Sequence, residues 1–483
     1  MAGETGMFLV CWALRTWLPG WLQLLLRPRG ATLRERFGSV CRWSISANKS
    51  FTFWLYQKYM TTSGQTTAFA ATEKAYGAST AVAAIFLVFF ATLAFKQAAD
   101  HTSSAFIVDP WGFPLGRDFL NSWMAGRAMF SGGPAAWFDA DVYMAVLRKV
   151  TGLDGLEPMY WSYPPHLVLL VWPFGQLGYL PSYVFWCVAG LALYVWAAVA
   201  GGVDRRYWLF LAISPAIIVN VLLGQNGFLT AALLIGGLIN LDRRPVFAGI
   251  LLGVLTVKPQ LGLLLPVLLL LGGHWRVIAS AVATTVLLVV ATAVWFGPDI
   301  WMEYWQKVGP QQHELINTAG IKGWPIVASA FVNARLVGLS DHVAWMIQGT
   351  ASAGAFGAVV WTFWRKRDPV LSHALFVVAI FVFSPWIMNY DMVVFGWIVA
   401  LLRQRDDQTL LDHCLALALW MLPLAMIPLG VGHIPGALMI LPLFAVRLLW
   451  RLAHEASERA PPAEPAAIRG RGIPPPEQAG RAS

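Results

Sequence analysis

The chain has 483 residues, of which 58% are apolar and only 12% are charged. This charged share is about half of that in a soluble domain, so an ordinary water-soluble fold is excluded. The net charge of +9 is concentrated in residues 1–59, and no basic face with interleaved aromatic residues indicates nucleic-acid binding. We therefore expect an all-α protein that crosses a membrane many times.

Four cysteines, at positions 11, 41, 187 and 414, lack the CxxC spacing that is typical of zinc and redox sites. The sequence also contains no P-loop and no GxGxxG motif. We expect no metal, no cofactor and no disulfide framework, and no nucleotide bound by this chain to supply energy.

The two ends differ from the apolar middle of the chain. Residues 1–77 are predicted to form an N-terminal cytoplasmic arm. Its apolar run Met7–Leu26 fits a signal peptide without a clear cleavage site, or an interfacial segment. A third interpretation starts translation at Met60, so that residues 1–59 would not be native. Residues 454–483 are rich in Pro, Ala and Gly, which predicts a disordered cytoplasmic tail.

Apolar runs that suit membrane helices fill residues 78–453. Twelve of them are predicted spans: 78–95, 181–201, 207–223, 226–241, 245–258, 259–272, 275–296, 341–364, 370–388, 390–402, 413–432 and 434–451. Two shorter runs, 165–177 and 324–337, contain Pro or polar residues and are interpreted as re-entrant segments. The polar stretches 96–163 and 297–323 are predicted to be outer loops.

Positively charged loops test this count, because Lys and Arg accumulate on the cytoplasmic side. With 12 spans and both termini inside, every basic loop faces the cytoplasm: Arg205/Arg206, Arg243/Arg244, Arg276, Arg365–Arg367 and Arg403/Arg405. The polar clusters that could carry chemistry then lie on the opposite side. The sequence therefore predicts a site on the outer face of the membrane.

Asp118 opens a predicted helix in the first outer loop. The pattern of apolar residues at 119, 120, 123, 124 and 130 has the spacing of a helix, and residues 131–133 end this pattern. We interpret this segment as an amphipathic helix that lies along the membrane surface. Asp118 is either its N-cap or a carboxylate that accepts a proton from a hydroxyl, and the two roles are compatible.

Two further polar motifs follow. Trp161-Ser162-Tyr163-Pro164-Pro165 closes the first loop, and its aromatic residues suit either an interfacial belt or stacking on a sugar. Gly224-Gln225-Asn226-Gly227 separates two apolar spans. The amides of Gln225 and Asn226 can bond several hydroxyls, although a simple polar turn explains the motif as well.

Lys258-Pro259 is the sharpest feature of the sequence. A lysine inside a long apolar stretch is costly and by default indicates function, and Pro259 breaks the helix at this point. Lys258 either extends its ammonium to the membrane boundary or supplies a cation for a lipid phosphate.

The last polar segments are weaker signals. We expect most charged residues of the second outer loop to be solvated, with Lys322 available to help hold a phosphate. Ser384-Pro385 begins a polar break in apolar sequence, where Asn389 and Tyr390 are expected to form a wall of the site. Asp391 suits a cap of the next span.

The order of these motifs resembles glycosyltransferase family 87. The resemblance covers residues 78–450 and is strongest over 224–260, where Arg243-Arg244-Pro245 precedes Gly249, Gly253 and Lys258-Pro259. It implies a GT-C-like bundle whose members transfer mannose from a polyprenyl-phosphate donor to a lipid or glycan acceptor at the outer face of the bacterial inner membrane. Some members have histidines shortly after Ser-Pro, where this chain has Asn389-Tyr390.

The resemblance implies a role for each polar motif. Asp118 would be the base that deprotonates the acceptor hydroxyl, and a single displacement at the anomeric carbon would invert its configuration. Lys258 and Lys322 would bind the donor phosphate. The expected contacts to the sugar are Tyr163, Gln225, Asn226, Asn389 and Tyr390.

Other classes of protein compete with this interpretation. A lipid flippase or solute transporter predicts inverted repeats and charges near the membrane midplane, whereas this sequence shows no clear repeat and its polar clusters gather on one side. A GT-C enzyme of another family is the nearer alternative. A purely structural membrane protein would not need Lys258-Pro259 in apolar sequence.

Overall fold

The computed structural model describes residues 74, 76, 77, 81, 114–129, 135–153, 155, 156, 159–322, 325–363 and 368–458. The predictions for residues 1–59, for most of the first span 78–95 and for the tail from residue 459 lie outside this part of the chain. All described residues belong to one compact unit, Gln65–Ser483.

This part of the chain is helical. The α-helices are α1 Arg117–Ala128, α2 Ala135–Phe138, α3 Ala140–Thr151, α4 Val168–Gly175, α5 Tyr179–Ala200, α6 Trp208–Ala212, α7 Pro215–Leu223, α8 Gly227–Ile239, α9 Pro245–Val254, α10 Leu265–Leu271, α11 Trp275–Phe296, α12 Asp299–Glu303, α13 Gly309–Lys322, α14 Ala330–Leu336, α15 Asp341–Phe363, α16 Pro369–Phe383, α17 Val393–Arg403, α18 Leu410–Val431 and α19 Gly436–Glu458.

Single turns of tighter or wider helix connect several of these elements. The 3-10 turns are Pro165–Leu167, Arg205–Tyr207, Leu255–Val257, Pro259–Gly262 and Asn389–Met392, and a π turn covers Tyr304–Val308. Within the described residues β pairing is limited to an isolated antiparallel bridge between Val327 and Met388. The predicted all-α class is confirmed.

Among the described residues, five helices are long and apolar enough to cross a membrane: α5, α11, α15, α18 and the part Gly436–His454 of α19. A sixth span results if the pair Arg205–Ala212 and Pro215–Leu223, bent by 52°, is counted as one. Most other predicted spans are apolar helices of only 10–17 residues. The count of about 12 spans therefore stays a prediction, because polar breaks divide the apolar runs into pieces shorter than a bilayer.

Helix α1 differs from its prediction. Eight consecutive residues, Phe119–Gly126, are buried, so α1 has no solvated face here and packs within the protein against α4. The approach depends on two glycines, because a Cβ on Gly126 would lie 2.6 Å from the carbonyl oxygen of Val171 and one on Gly175 would meet the backbone of Gly126. Sequence periodicity gives the helix but not this contact with a distant segment.

Three clusters of buried apolar side chains form the core. The largest contains Met392 and joins α5–α9 to α16–α19. The second contains Phe119 and Trp186, and the third contains Tyr390. Because residues 390 and 392 are neighbours in the chain, the 3-10 turn Asn389–Met392 lies where the first and third clusters meet.

A chain of ion pairs connects the start of α16, the loop before α18, and α19. Arg405 binds Asp368 at 2.8 Å and Asp407 at 2.6 Å. Arg451 also binds Asp407 at 2.6 Å, and Arg447 binds Asp412 at 2.7 Å. The hydrogen bond from Arg405, against a smaller effect of burial, holds the pKa of Asp407 well below its ordinary value of 3.8.

We expect Asp407→Asn to lower the unfolding temperature of the detergent-solubilised protein at pH 7. A carboxylate with a lowered pKa stabilises the fold above the unfolded value near 3.8, and this contribution is lost as pH falls below it. Asp407 is 46% exposed, so the effect is at most about 1 kcal/mol. Tryptophan fluorescence melts should show the difference from wild type narrowing below pH 4. Asp406→Asn, at the exposed neighbour, is the control, and an equal effect there would contradict the prediction.

Candidate active site

Two loop glycines bring the start of α1 beside the Gly224–Gly227 turn. Gly116 and Gly224 both have left-handed backbones, with φ of 68° and 66°. A Cβ on Gly224 would lie 2.5 Å from Phe119 Cβ and 3.3 Å from Gly116 Cα. Side chains other than hydrogen would therefore separate the two segments.

Two tyrosines of α5 hold these segments in place. The Tyr179 hydroxyl donates to the carbonyls of Leu115 and Gly116, at 2.7 and 3.0 Å. The Tyr183 hydroxyl donates to the carbonyl of Val221 at 2.5 Å. One face of α5 thus fixes both the entry to α1 and the end of α7.

Asp118 is not the N-cap of α1. The helix begins at Arg117, Gly116 occupies the cap position, and no side chain caps this end. The Asp118 carboxylate instead accepts a hydrogen bond from Gln225 Nε2 at 2.9 Å. Its other oxygen lies 3.5 Å from Arg117 Nε, and its side chain keeps an exposed fraction of 20%.

Gln225 connects Asp118 to Tyr163. Its Oε1 accepts a hydrogen bond from the Tyr163 hydroxyl at 2.8 Å, while its Nε2 serves Asp118. The Trp186 indole donates to the Gln225 carbonyl at 3.3 Å. Both ends of the amide are therefore occupied, and its orientation follows from its partners.

Tyr163 remains a hydrogen-bond donor in this arrangement. Burial raises the pKa of its phenol well above the ordinary value, and the nearby carboxylates of Asp118 and Asp391 raise it further. The adjoining Trp161 ring is 1% exposed and packs edge-on at 5.4 Å from Tyr163. Trp161 therefore supports Tyr163 from within the protein and is not part of an interfacial belt.

Lys258 lies in the break between the 3-10 turns Leu255–Val257 and Pro259–Gly262. Its ammonium donates to Asp391 Oδ1 at 2.5 Å and to Asn226 Oδ1 at 3.0 Å. It also lies 4.6 Å from the centre of the Tyr390 ring. The side chains of Lys258 and Asp391 are 3% and 0% exposed, so this is a buried ion pair and Lys258 does not extend to a membrane boundary.

Backbone contacts hold the Asp391 turn in position. Asp391 Oδ2 accepts from the Met388 backbone and so caps the 3-10 turn Asn389–Met392, whereas no side chain caps the following helix α17. The adjoining residues pair with the chain before α14, where Ala328 N–H donates to the carbonyl of Ile387 at 2.8 Å. The carbonyl of Tyr390 accepts from Asn220 at 2.7 Å.

The predicted site residues divide into two groups. One network contains Asp118, Tyr163, Gln225, Asn226, Lys258 and Tyr390. Asn389 is fully buried and donates to the carbonyl of Pro423 instead. Lys322 ends α13, but its side chain lies outside the described part, so its role stays a prediction.

Two members of the network were not assigned to the site from the sequence. Asp391 was assigned only a capping role, although a second charge in apolar sequence is the signal that a buried lysine has a partner. Arg117 directly precedes Asp118 in the chain, and its Nε lies 3.5 Å from the Asp118 carboxylate. The pairing of Lys258 with Asp391 does not follow from local spacing, because it depends on how distant segments meet.

The arrangement combines two functions in one place. A partly exposed carboxylate, held by an amide, can accept a proton, while the buried pair of Lys258 and Asp391 fixes the inner part of the network. Among the described residues, no group of three or more His, Cys, Asp or Glu side chains could hold a metal ion. Within the described residues, the fold and this site define a helical protein with membrane-length apolar helices and a polar network that contains two carboxylates.

Comparison with known proteins finds similarity to a glycosyltransferase family over part of the chain. The sequence model of glycosyltransferase family 87 matches residues 161–385. This match confirms the resemblance of the motifs to that family, and the family indicates a membrane glycosyltransferase. The matched range includes Tyr163, Gln225, Asn226 and Lys258 but begins after Asp118 and ends before Asp391. No curated protein and no solved structure matches the chain.

We expect Lys258→Met to destabilise the protein by about 3–5 kcal/mol, because it leaves Asp391 charged, buried and uncompensated. Adding Asp391→Asn should recover much of this loss, since asparagine is neutral and still offers an oxygen to the Met388 N–H. The unfolding temperatures of the two single variants and the double variant give the comparison. A double variant no more stable than Lys258→Met would show that the pair does not carry the effect.

Proposed function

We propose that the protein transfers a hexose, with mannose as the expected sugar, from a polyprenyl-phosphate donor to a hydroxyl of a lipid or glycan acceptor. The family supports sugar transfer, and the apolar helices around the site suit a donor that carries a prenyl chain. We assign the reaction to the outer face of the membrane on the basis of the charge pattern of the loops, and to a bacterial inner membrane on the basis of the resemblance to the family.

The chemistry is a single displacement. Asp118 takes the proton of the acceptor hydroxyl while its oxygen attacks the anomeric carbon. The bond between that carbon and the phosphate oxygen breaks, and its electron pair leaves on the polyprenyl phosphate. Attack from the face opposite the phosphate inverts the anomeric configuration, and a second carboxylic acid is not needed for so good a leaving group.

One observation carries this proposal: of the two carboxylates in the network, only Asp118 is within reach of a ligand. Its side chain is 20% exposed, whereas that of Asp391 is fully buried and bound to Lys258. The hydrogen bond from Gln225 fixes one oxygen of Asp118. The carboxylate is thus oriented before substrate arrives, as general-base catalysis requires.

Positive charge must offset the charge that develops on the leaving phosphate. The sequence assigned this contact to Lys258 and Lys322. In the present geometry a direct contact requires the Lys258 ammonium to exchange Asp391 for phosphate. While it stays paired, Lys258 acts by holding Asn226, and through it the neighbouring Gln225, in place.

We expect Asp118→Asn to lower the transfer rate about 10²–10⁴-fold, because the amide cannot accept the hydroxyl proton. The assay uses purified protein in nanodiscs with radiolabelled polyprenyl-phosphate hexoses and a lipid extract as the acceptor source. Asparagine keeps the size of the side chain and an oxygen for Gln225, so unfolding temperature and donor binding should stay close to those of wild type.

The control is Asp299→Asn, which changes an exposed carboxylate at the start of α12 and should leave the rate unchanged. NMR of the product should show an inverted anomeric configuration. Retained activity in Asp118→Asn, or a product with retained configuration, would contradict the mechanism. Donor movement across the bilayer without any transfer would favour the transporter class.

A further inference from the structure

The leaving phosphate needs a hydrogen-bond donor that is available without breaking the buried ion pair. Lys258 is bound to Asp391, and its release would leave that fully buried carboxylate uncompensated. Charge that develops on a leaving oxygen is stabilised by any donor aimed at it, including a neutral hydroxyl. A neutral side chain of the network whose O–H has no internal partner would therefore meet this need.

The Tyr390 hydroxyl has this property. Among the described residues it makes no hydrogen bond, and it is not one of the unpartnered polar atoms that are closed to solvent. The neighbouring polar groups differ, because the Tyr163 hydroxyl already donates to Gln225 and the Nδ2 atom of Asn226 is closed to solvent. A phenol is protonated at neutral pH, so Tyr390 can donate to a ligand that reaches it.

The Tyr390 ring and backbone are held in place. The Lys258 ammonium lies 4.6 Å from the centre of the ring, and the Tyr390 carbonyl accepts from Asn220 Nδ2 at 2.7 Å. Gly227 permits this contact, since a Cβ there would clash with both the Asn220 amide and the Tyr390 carbonyl. The hydroxyl is therefore positioned before a ligand arrives, and little further ordering is needed for binding.

The place of Tyr390 in the network suits an inverting displacement, in which the base and the leaving group lie on opposite sides of the anomeric carbon. Asp118 is bound to Gln225. The next residue, Asn226, is bound to Lys258, which lies against the Tyr390 ring. Asp118 and Tyr390 are thus the two ends of one series of contacts, and they are close enough for the charge of Asp118 to act on the phenol.

We propose that the Tyr390 hydroxyl donates a hydrogen bond to a phosphate oxygen of the polyprenyl-phosphate donor. This bond stabilises the charge that develops as the bond between the anomeric carbon and the phosphate oxygen breaks. The electron pair leaves on the phosphate and the phenol keeps its proton. Lys258 stays on Asp391 as a positioning residue beneath the ring. The inference rests on the proposed function for the class of donor, and it assigns Tyr390 to the phosphate instead of the sugar.

Binding of polyprenyl phosphate without a sugar separates a phosphate contact from a sugar contact. The ligand is measured against the whole protein in phosphatidylcholine nanodiscs. Tyr390→Phe removes the hydroxyl and keeps the ring that contacts Lys258. The matched control is Tyr207→Phe, in the 3-10 turn Arg205–Tyr207, where the Arg206 guanidinium lies 5.6 Å from the ring centre. Polyprenol, which lacks the phosphate, and inorganic phosphate, which lacks the chain, are measured alongside.

We expect Tyr390→Phe to weaken polyprenyl-phosphate binding about tenfold or more, as loss of a hydrogen bond to a charged group does. Its unfolding temperature and its affinity for polyprenol should equal those of wild type. Its transfer rate at saturating donor should fall as well, because the hydrogen bond strengthens as charge develops on the phosphate. Tyr207→Phe should match wild type in all of these measurements, and inorganic phosphate should bind far more weakly than polyprenyl phosphate.

Unchanged polyprenyl-phosphate binding in Tyr390→Phe would overturn the assignment, and a loss seen only with the sugar-loaded donor would return Tyr390 to the sugar. An equal loss for polyprenol or in Tyr207→Phe, an unchanged transfer rate at saturating donor, or full affinity for inorganic phosphate would also overturn it. Wild type that binds no polyprenyl phosphate would instead refute the donor class in the proposed function. The two failures are therefore distinguishable in one experiment.

Discussion

The buried ion pair between Lys258 and Asp391 is the constraint on which the site depends. Charge inside an apolar protein is tolerated only when it is paired and fully hydrogen bonded. To meet this condition, the Asn226 turn, the break before Pro259 and the Asp391 turn must come together from distant parts of the chain. Each of them interrupts apolar helix, so the polar breaks that shorten the helices are the same ones that build the site.

The more exposed polar residues of the site are connected to this buried ion pair through Asn226. Asn226 is bound to Lys258, and the next residue, Gln225, is bound to both Asp118 and Tyr163. Exposure rises along this path, from the fully buried Asp391 to the partly exposed Asp118 and then Arg117. A buried interior pair thus lies next to a second, more exposed pair of charged side chains.

The sequence predicted the local features of this arrangement well. Lysine before proline in apolar sequence and an amide pair between glycines do mark helix breaks, and six of the eight predicted site residues share one network. The partner of Lys258 was not predicted, because hydropathy along the chain does not show which distant charge will meet it. The burial of α1 depends on the contact of Gly126 with Gly175, which periodicity within one helix cannot reveal.

The hydrogen bonds that Gln225 already makes have a consequence for selectivity. Tyr163 occupies its oxygen and Asp118 occupies one of its two N–H donors, so a ligand that needs the position of either partner must replace a contact of comparable quality. The affinity then depends on the difference between the hydrogen bonds made with the ligand and those made within the empty site. A ligand with one misplaced hydroxyl does not replace the internal partner and binds more weakly. Such internal contacts compete with a ligand for the same hydrogen bonds, which favours discrimination among ligands at the expense of tight binding.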